Sequence, residues 1–418
     1  EIIPDLDKRH FRDRLDAYSF TPDDDYYWRI FPSFLDNNIQ NGGLSDKKMS
    51  QGNTIDMVAQ LPQYAKCLLE SDAILPVILV DGTFLASGYR GNLVVVMVVS
   101  SNRTNIPIAW GWGPSENGDL VEMVLNLVKQ VKPDIKTVIS DQGTGINRAV
   151  HNVFPEALHH YCAWHISKKI KSPKLRSKFW ELLKAEHKNQ FEFIMHQILA
   201  EFPEDSKDLR VLQFTNVQRF FEDVTLNGLV ASSPVESINS EIKDLKLSHP
   251  IHIFQRLGCI GVDRCIKLLN LKTAMTPYYL NTIKLIQEKA DNDLYIIDDS
   301  NETIRIIGDS RLEMGLRRRG YSQSPIQFLI CRDDHQCQCG KFADRGIPCA
   351  HFYKACQSMR IPFENYVHRC YQTDTIRKAL VDLHAPILFS DADEDPNIKG
   401  PPCSARNSCP DRHKAPYE

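Results

Sequence analysis

Residues 76–113 read PVILVDGTFLASGYRGNLVVVMVVSSNRTNIPIAWGWG. Three runs in it, VILV, NLVVVMVVS and IPIAWGW, are β-branched, apolar and of strand length, and Gly, Asn and Ser separate them; the pattern predicts three successive strands in a meander. Next, GDLVEMVLNLVKQVK (118–132) places Leu120, Val121, Val124, Leu125, Leu127 and Val128 at helical spacing. KTVIS (136–140) is a short apolar strand stopped by Asp141.

The order β-β-β-α-β followed by further helices is that of a ribonuclease-H-like α/β domain. Working outward, residues 1–75 read as a helical and irregular N-terminal region, and 76–250 as the α/β domain with a helical insertion at about 166–228. Residues 251–322 read as helices and a connector, with LYIIDD, TIRIIG and IQFLI strand-like on the way to a Cys/His segment at 323–362. Residues 363–418 form a C-terminal extension, and its last part, from SDADEDP onward, has the composition of a disordered tail.

Length and composition agree with this. The chain has 418 residues, 42% hydrophobic and 25% charged, typical of globular domains. Its longest purely apolar run, Leu93 to Val99, is far short of the roughly 20 residues that cross a bilayer, so no membrane span is expected. The charged opening EIIPDLDKRHFRDRLD is not that of a secretory signal, and the lack of an initiating Met leaves room for a preceding leader or domain. Twelve cysteines, mostly without partner spacing, suit a reducing compartment. The formal net charge of −3 does not announce a nucleic-acid binder, so any such binding rests on local patches.

Three carboxylates stand out. Asp81 interrupts a strand that should be buried on both faces, an expensive place for a charge unless it is paired or metal-bound; it also suits a turn with Gly82. Asp141 ends a second strand, where an Asx turn or helix cap is equally natural. Glu236, in Ser233-Pro234-Val235-Glu236, fits a capping box in the first turn of a helix, where the dipole favours the ionised form. Converging, the three could hold a pair of Mg²⁺ or Mn²⁺ ions and clamp an in-line phosphoryl displacement.

The blocks PVILVDGTFLASGYRGNLVVVMVVSSNRTNIPIAWGWGPSEN, TVISDQGTGINRAVHNVFPEALHHYCAWHI and SSPVESINS together resemble the transposase domain of Mutator-like elements (MULE transposases). The resemblance implies a ribonuclease-H-like DDE domain that uses two divalent metals to cleave DNA and join the freed 3′-OH to target DNA. It makes Asp81, Asp141 and Glu236 the catalytic acids, and transposon ends and target DNA the partners, with a homodimer for paired ends and a nuclear location. Cys162 and His165 in CAWH match the family's CxxH signature; their own chemistry is either a zinc brace or a buried thiol hydrogen-bonded to an imidazole. A domesticated descendant that regulates transcription by binding DNA without catalysis is the second reading, and a host nuclease the third.

Cys337, Cys339, Cys349 and His351 form C-x-C-x9-C-x-H, a complete tetrahedral set for structural Zn²⁺. Cys331, His335 and Cys356 stand close enough to substitute. The spacing resembles the SWIM zinc finger, which often follows a MULE domain. Lys168, Lys169, Lys171, Lys174, Arg176 and Lys178 make a basic run directly after CAWH that could hold DNA phosphates. Arg317 to Arg319 form a second run that reads as a solvated face or import signal. Cys403, Cys409 and His413 could make a degenerate metal knuckle.

Overall fold

The computed structural model describes residues 24–50, 52–85, 91–114, 118–185, 188–203, 225–229, 233–299, 303–308, 327–331, 336–337 and 339–401. Its centre is a seven-stranded mixed sheet built from β1 (Leu44–Ser50), β2 (Thr54–Leu61), β3 (Val77–Leu85), β4 (Gly91–Val99), β5 (Asn105–Gly113), β6 (Thr137–Ser140) and β7 (Leu158–Tyr161). The spatial order is β1-β2-β5-β4-β3-β6-β7. β3, β4 and β5 form the antiparallel meander, and β6 runs parallel to β3 with β7 parallel to β6.

Both sheet faces are covered, which is why the strands are apolar throughout instead of alternating with polar residues. Ile78, Val80, Val94 and Val96 turn to one side, onto α2 (Gln63–Leu69), α3 (Gly118–Val131) and α4 (Thr144–Val153). Val77, Leu79, Val95 and Met97 turn to the other, where α1 (Asp24–Gln40), α8 (Ser233–Glu241), α9 (Pro250–Leu269) and α10 (Pro277–Asp293) lie. Between α4 and α8 the chain forms α5 (Ala163–Lys169), α6 (Pro173–Leu183) and α7 (Lys188–Glu201), which share a separate small core around Phe179, Leu182, Ile194 and Ile198. Ser172 caps α6 by accepting from Leu175 N, with Pro173 at its first position.

A second sheet, in the order β11-β10-β9-β8, is antiparallel and consists of β8 (Leu294–Asp299), β9 (Thr303–Gly308), β10 (Gln327–Cys331) and β11 (Gln336–Cys337). α11 (Lys341–Arg345) follows β11, α12 (Ala350–Met359) packs on this sheet, and α13 (Thr373–Ala379) joins the core of the central sheet through Ile376. Among the described residues no helix is long and apolar enough to cross a membrane.

Two expectations need correction. Residues 44–61 are a hairpin that extends the central sheet, not helix or irregular chain. β1, LSDKKMS, is a polar edge strand without the apolar run that marks a strand, and the reversal uses Gly52 and Asn53, both at positive φ. The stretch from Ser390 to Pro401 is not a loose tail either. Asp395 N donates to Arg29 O, Lys399 N to Asn53 O, and Arg29 pairs with Glu394 at 2.5 Å, so backbone bonds to distant residues order a polar sequence. Residues 402–418, with Cys403, Cys409 and His413, lie outside the described residues, as do Arg317 to Arg319.

Candidate functional site

Parallel pairing joins Val77 to Thr137, Ile78 to Val138 and Leu79 to Ile139. Two residues beyond the last of these pairs stand Asp81, in the middle of β3, and Asp141, immediately after the end of β6. By alternation along β3, Asp81 shares the face of Leu79, the side that α8 covers. Asp81 is only 6% exposed. Asp141 is half-buried, and its Oδ1 accepts from Gly143 N at 3.0 Å, closing an Asx turn. A Cβ on Gly143 would sit 3.1 Å from that oxygen, so the turn favours glycine.

The carbonyl of Asp141 is held as well. Ser140 Oγ donates to it at 2.8 Å and lies 2.7 Å from His159 Nε2. Burial, with help from His160 and against Asp141, lowers His159 to about 4. Its imidazole is therefore neutral, and since the hydroxyl hydrogen is used on Asp141, the ring N–H donates to Ser140 Oγ.

α8 lies over β3, β4 and β5 and meets Asp81. Asn239 Nδ2 donates to Asp81 Oδ2 at 3.2 Å, which seats the helix beside the first acid. Glu236 stands three positions earlier on the same helix; its side chain lies outside the described residues. The far end of the helix is tied by the ion pair of Glu241 with Arg264, which also donates to Asn105 O. Just beyond, Lys246 Nζ donates to Thr83 Oγ1 at 2.6 Å, two residues along β3 from Asp81. Burial lowers the Lys246 pKa and the charge of Asp81 opposes the shift. Sequence reading missed Asn239 and Lys246; the one signal for Asn239 was its place a turn after Glu236.

Cys162 is fully buried and starts α5, its N–H bonded to Ser140 O at 2.6 Å. His165 follows one turn later. Its hydrogen bond with Cys162, first, and the charges of Cys162, Asp81 and Asp141 raise it to about 9 against the pull of burial. Both acids thus favour the protonated form of this imidazole. Of the basic run, Lys168, Lys169, Lys171 and Lys174 are exposed. Lys168 Nζ also sits 4.8 Å over the Trp164 ring, and Lys169 Nζ bonds Gln142 Oε1 at 2.5 Å. Arg176 is spent internally on Ser167 O and Ile170 O, at 3.0 and 2.6 Å, and Lys178 pairs with Glu201 at 3.0 Å.

The ligand atoms of Cys337, Cys339, Cys349 and His351 all lie within 4.8 Å of one another, and all four residues are buried. Among the described residues they are the one such group of three or more. Cys337 comes from the β10–β11 hairpin, Cys349 begins α12 and accepts from Phe352 N at 3.4 Å, and His351 lies in the first turn. Phe328 stacks on the His351 ring at 3.6 Å, fixing its plane. Hydrogen bonds from Cys337 and Cys349 hold Cys339 well below the usual thiol range, toward the thiolate a metal requires. Cys356 is buried nearby but is not one of the converging four; the Cys331 side chain and His335 lie outside the described residues.

Comparison with known proteins adds a family. The MULE transposase domain matches residues 77–169, which run from β3 to α5 and hold Asp81, Asp141, Cys162 and His165. No curated protein matches the chain. A solved structure titled "Drosophila P element transposase strand transfer complex" covers 77% of this chain and 81% of its own, at 10% identity and a TM-score of 0.20, too distant a likeness to inform the fold. The similarity to the MULE transposase domain thus spans the segment from β3 to α5, residues 77–169 of the 418.

Proposed function

We propose that the chain is a DDE-type DNA transposase on a ribonuclease-H-like core, cleaving and joining DNA strands with two divalent ions held by Asp81, Asp141 and Glu236. The observation that carries this is the parallel pairing of β3 with β6, which puts Asp81 of β3 and Asp141, just past β6, on neighbouring segments, where both act on His165. The strand order β5-β4-β3-β6-β7, three antiparallel strands and then two parallel ones, is the arrangement that fold requires. The bond from Asn239 to Asp81 brings α8 to the first acid, and residues three apart share one side of a helix, so Glu236 is the third ligand in this reading.

Such ions would align an attacking water or 3′-OH and balance the charge developing on the leaving oxygen. The chain's own residues do the rest. Asn239 orients Asp81, Gly143 and Ser140 fix Asp141, and Lys246 and the His165 imidazolium stand ready for phosphate oxygens. Exposed Lys168, Lys169, Lys171 and Lys174 would carry DNA toward the acids, an attraction that weakens with salt. Paired ends make a homodimer the working assembly, and DNA as substrate makes the nucleus the working place.

For the Cys/His centre we propose structural Zn²⁺, in a SWIM-type finger. Zinc–sulfur bonds of about 2.3 Å in a tetrahedron set ligand atoms about 3.7 Å apart. Cys337 Sγ and His351 Nδ1 stand 3.7 Å apart. Three thiols and one imidazole, all buried, are the donor set of a closed site without a place for substrate.

The test is cleavage of a terminal-repeat DNA by purified protein with Mn²⁺. Wild type should nick and join strands, and Asp81→Asn should lower the rate at least about a thousandfold, roughly 4 kcal/mol of barrier. Equal cleavage by the variant would remove Asp81 from the chemistry. Specific DNA binding by a wild type that never cleaves would favour the regulator.

A further inference from the structure

The nine-residue spacer between Cys339 and Cys349 does more than close a metal loop. It contains α11, and Asp344 on that helix is 3% exposed, a buried carboxylate outside both sites described above. Asp344 Oδ1 accepts from Leu226 N and Gly228 N, both at 2.9 Å, and its backbone carbonyl accepts from Asn227 N at 2.8 Å. Thr225 Oγ1 adds a bond to Ala343 O at 3.2 Å. Three successive amides thus wrap one acidic residue, a concave arrangement of donors suited to an anion.

The wrapped segment is held from its other side too. Asn227 Nδ2 donates to Val99 O at 2.9 Å, at the end of β4, and Arg103 donates to Asn227 O at 2.6 Å while its guanidinium lies 4.5 Å over the Tyr278 ring. Asn227 and Gly228 both take positive φ, of 54° and 66°. Two successive left-handed residues are a shape that a free loop does not keep without such bonds. Residues 225–229 therefore lie clamped between the metal loop and the central sheet. Shortly after them the chain enters α8, which carries Glu236 and bonds Asp81 through Asn239.

We infer that Asp344 is a positioning residue through which the Cys/His centre fixes the entry to α8 and so sets the geometry of the acid site. The inference rests on the phosphoryl-transfer reading for its consequence, but not for its mechanics. A metal held by the four residues would fix both ends of the spacer through Cys339 and Cys349; the spacer presents Asp344; Asp344 orders 225–229; and the ordered segment leads into the helix.

The experiment is hydrogen exchange by mass spectrometry on the full chain, with zinc content and Mn²⁺-dependent cleavage measured on the same samples. Asp344→Ala should keep its zinc, since Asp344 is no ligand, while amide exchange in 225–229 and along α8 rises about tenfold. Cleavage should lose kcat with KM for DNA unchanged. Asp344→Asn, whose amide oxygen can still accept from both N–H groups, should restore slow exchange and rate. Chelating zinc from wild type should reproduce the alanine pattern. Faster exchange confined to 225–229, with α8 unchanged in the alanine variant or in the chelated wild type, overturns the inference. Should the alanine variant not fold, the chelated wild type decides alone. Exchange needs no catalysis, so a chain that never cleaves DNA still tests the role of Asp344, and the failure of one reading is separable from the failure of the other.

Discussion

At the scale of single residues, the acid site is notable for the positive charge gathered around it. Asp81 is buried beside Asn239, Lys246 approaches along β3, and the pKa of His165 is raised to about 9 by its Cys162 bond and the nearby acids. Burial and nearby charge act on these groups in opposite senses, since one lowers the Lys246 pKa while the Cys162 bond and the two acids raise His165. A measurable consequence follows for His165. Its value moves from 6.5 to about 9 on folding, so the stabilisation is complete below about 6.5 and is lost as pH rises through about 9. In metal-free buffer, wild type should lose about 1–2 kcal/mol across that window, after discount for partial solvent screening. His165→Gln should flatten the loss; thermal melts at pH 6.5 and 9 read it, and an equal drop in the variant would assign the dependence elsewhere.

At the scale of elements, the Cys/His loop behaves as a unit because its ligands arise from a hairpin, a helix start and the spacer between them. Cys349 is candidate ligand and cap at once, accepting from Phe352 N at the head of α12. Cys349→Ser should abolish zinc in the purified protein and destabilise the second sheet with α12 by more than about 4 kcal/mol, as expected when a structural metal is lost. Zinc stoichiometry and denaturant melts check it; retained zinc would show that the other nearby thiols ligate instead. The elements also show what could be read in advance. The meander, α3 and β6 were legible because β-branched runs and helical spacing are local signals, and Cys337, Cys339, Cys349 and His351 because their spacing is compact. The β1–β2 hairpin was not, since an edge strand facing solvent can be polar, and LSDKKMS carries no periodic apolar face.

At the scale of the whole molecule, the unforeseen features share one cause. Asn239 with Asp81, Lys246 with Thr83, Asp344 with residues 226–228 and Lys399 with Asn53 are polar contacts between segments more than a hundred residues apart. A hydrogen bond of that kind leaves no periodicity in either partner, whereas Asp81 and Asp141 were marked by the apolar runs VILV and TVIS that precede them. The topology supplies the rest: β3 and β6 run side by side with Asp81 in one and Asp141 just after the other, α8 returns across the sheet beside Asp81, and the C-terminal unit holds the segment before α8.

The most direct measurement is anomalous scattering from crystals soaked in Mn²⁺. Two manganese peaks roughly 3.5–4 Å apart between the carboxylates of Asp81 and Asp141, with Glu236 completing the shell, are the predicted result. Manganese absent from that cleft, or the three carboxylates turned into separate surroundings with no ion in common, would contradict it.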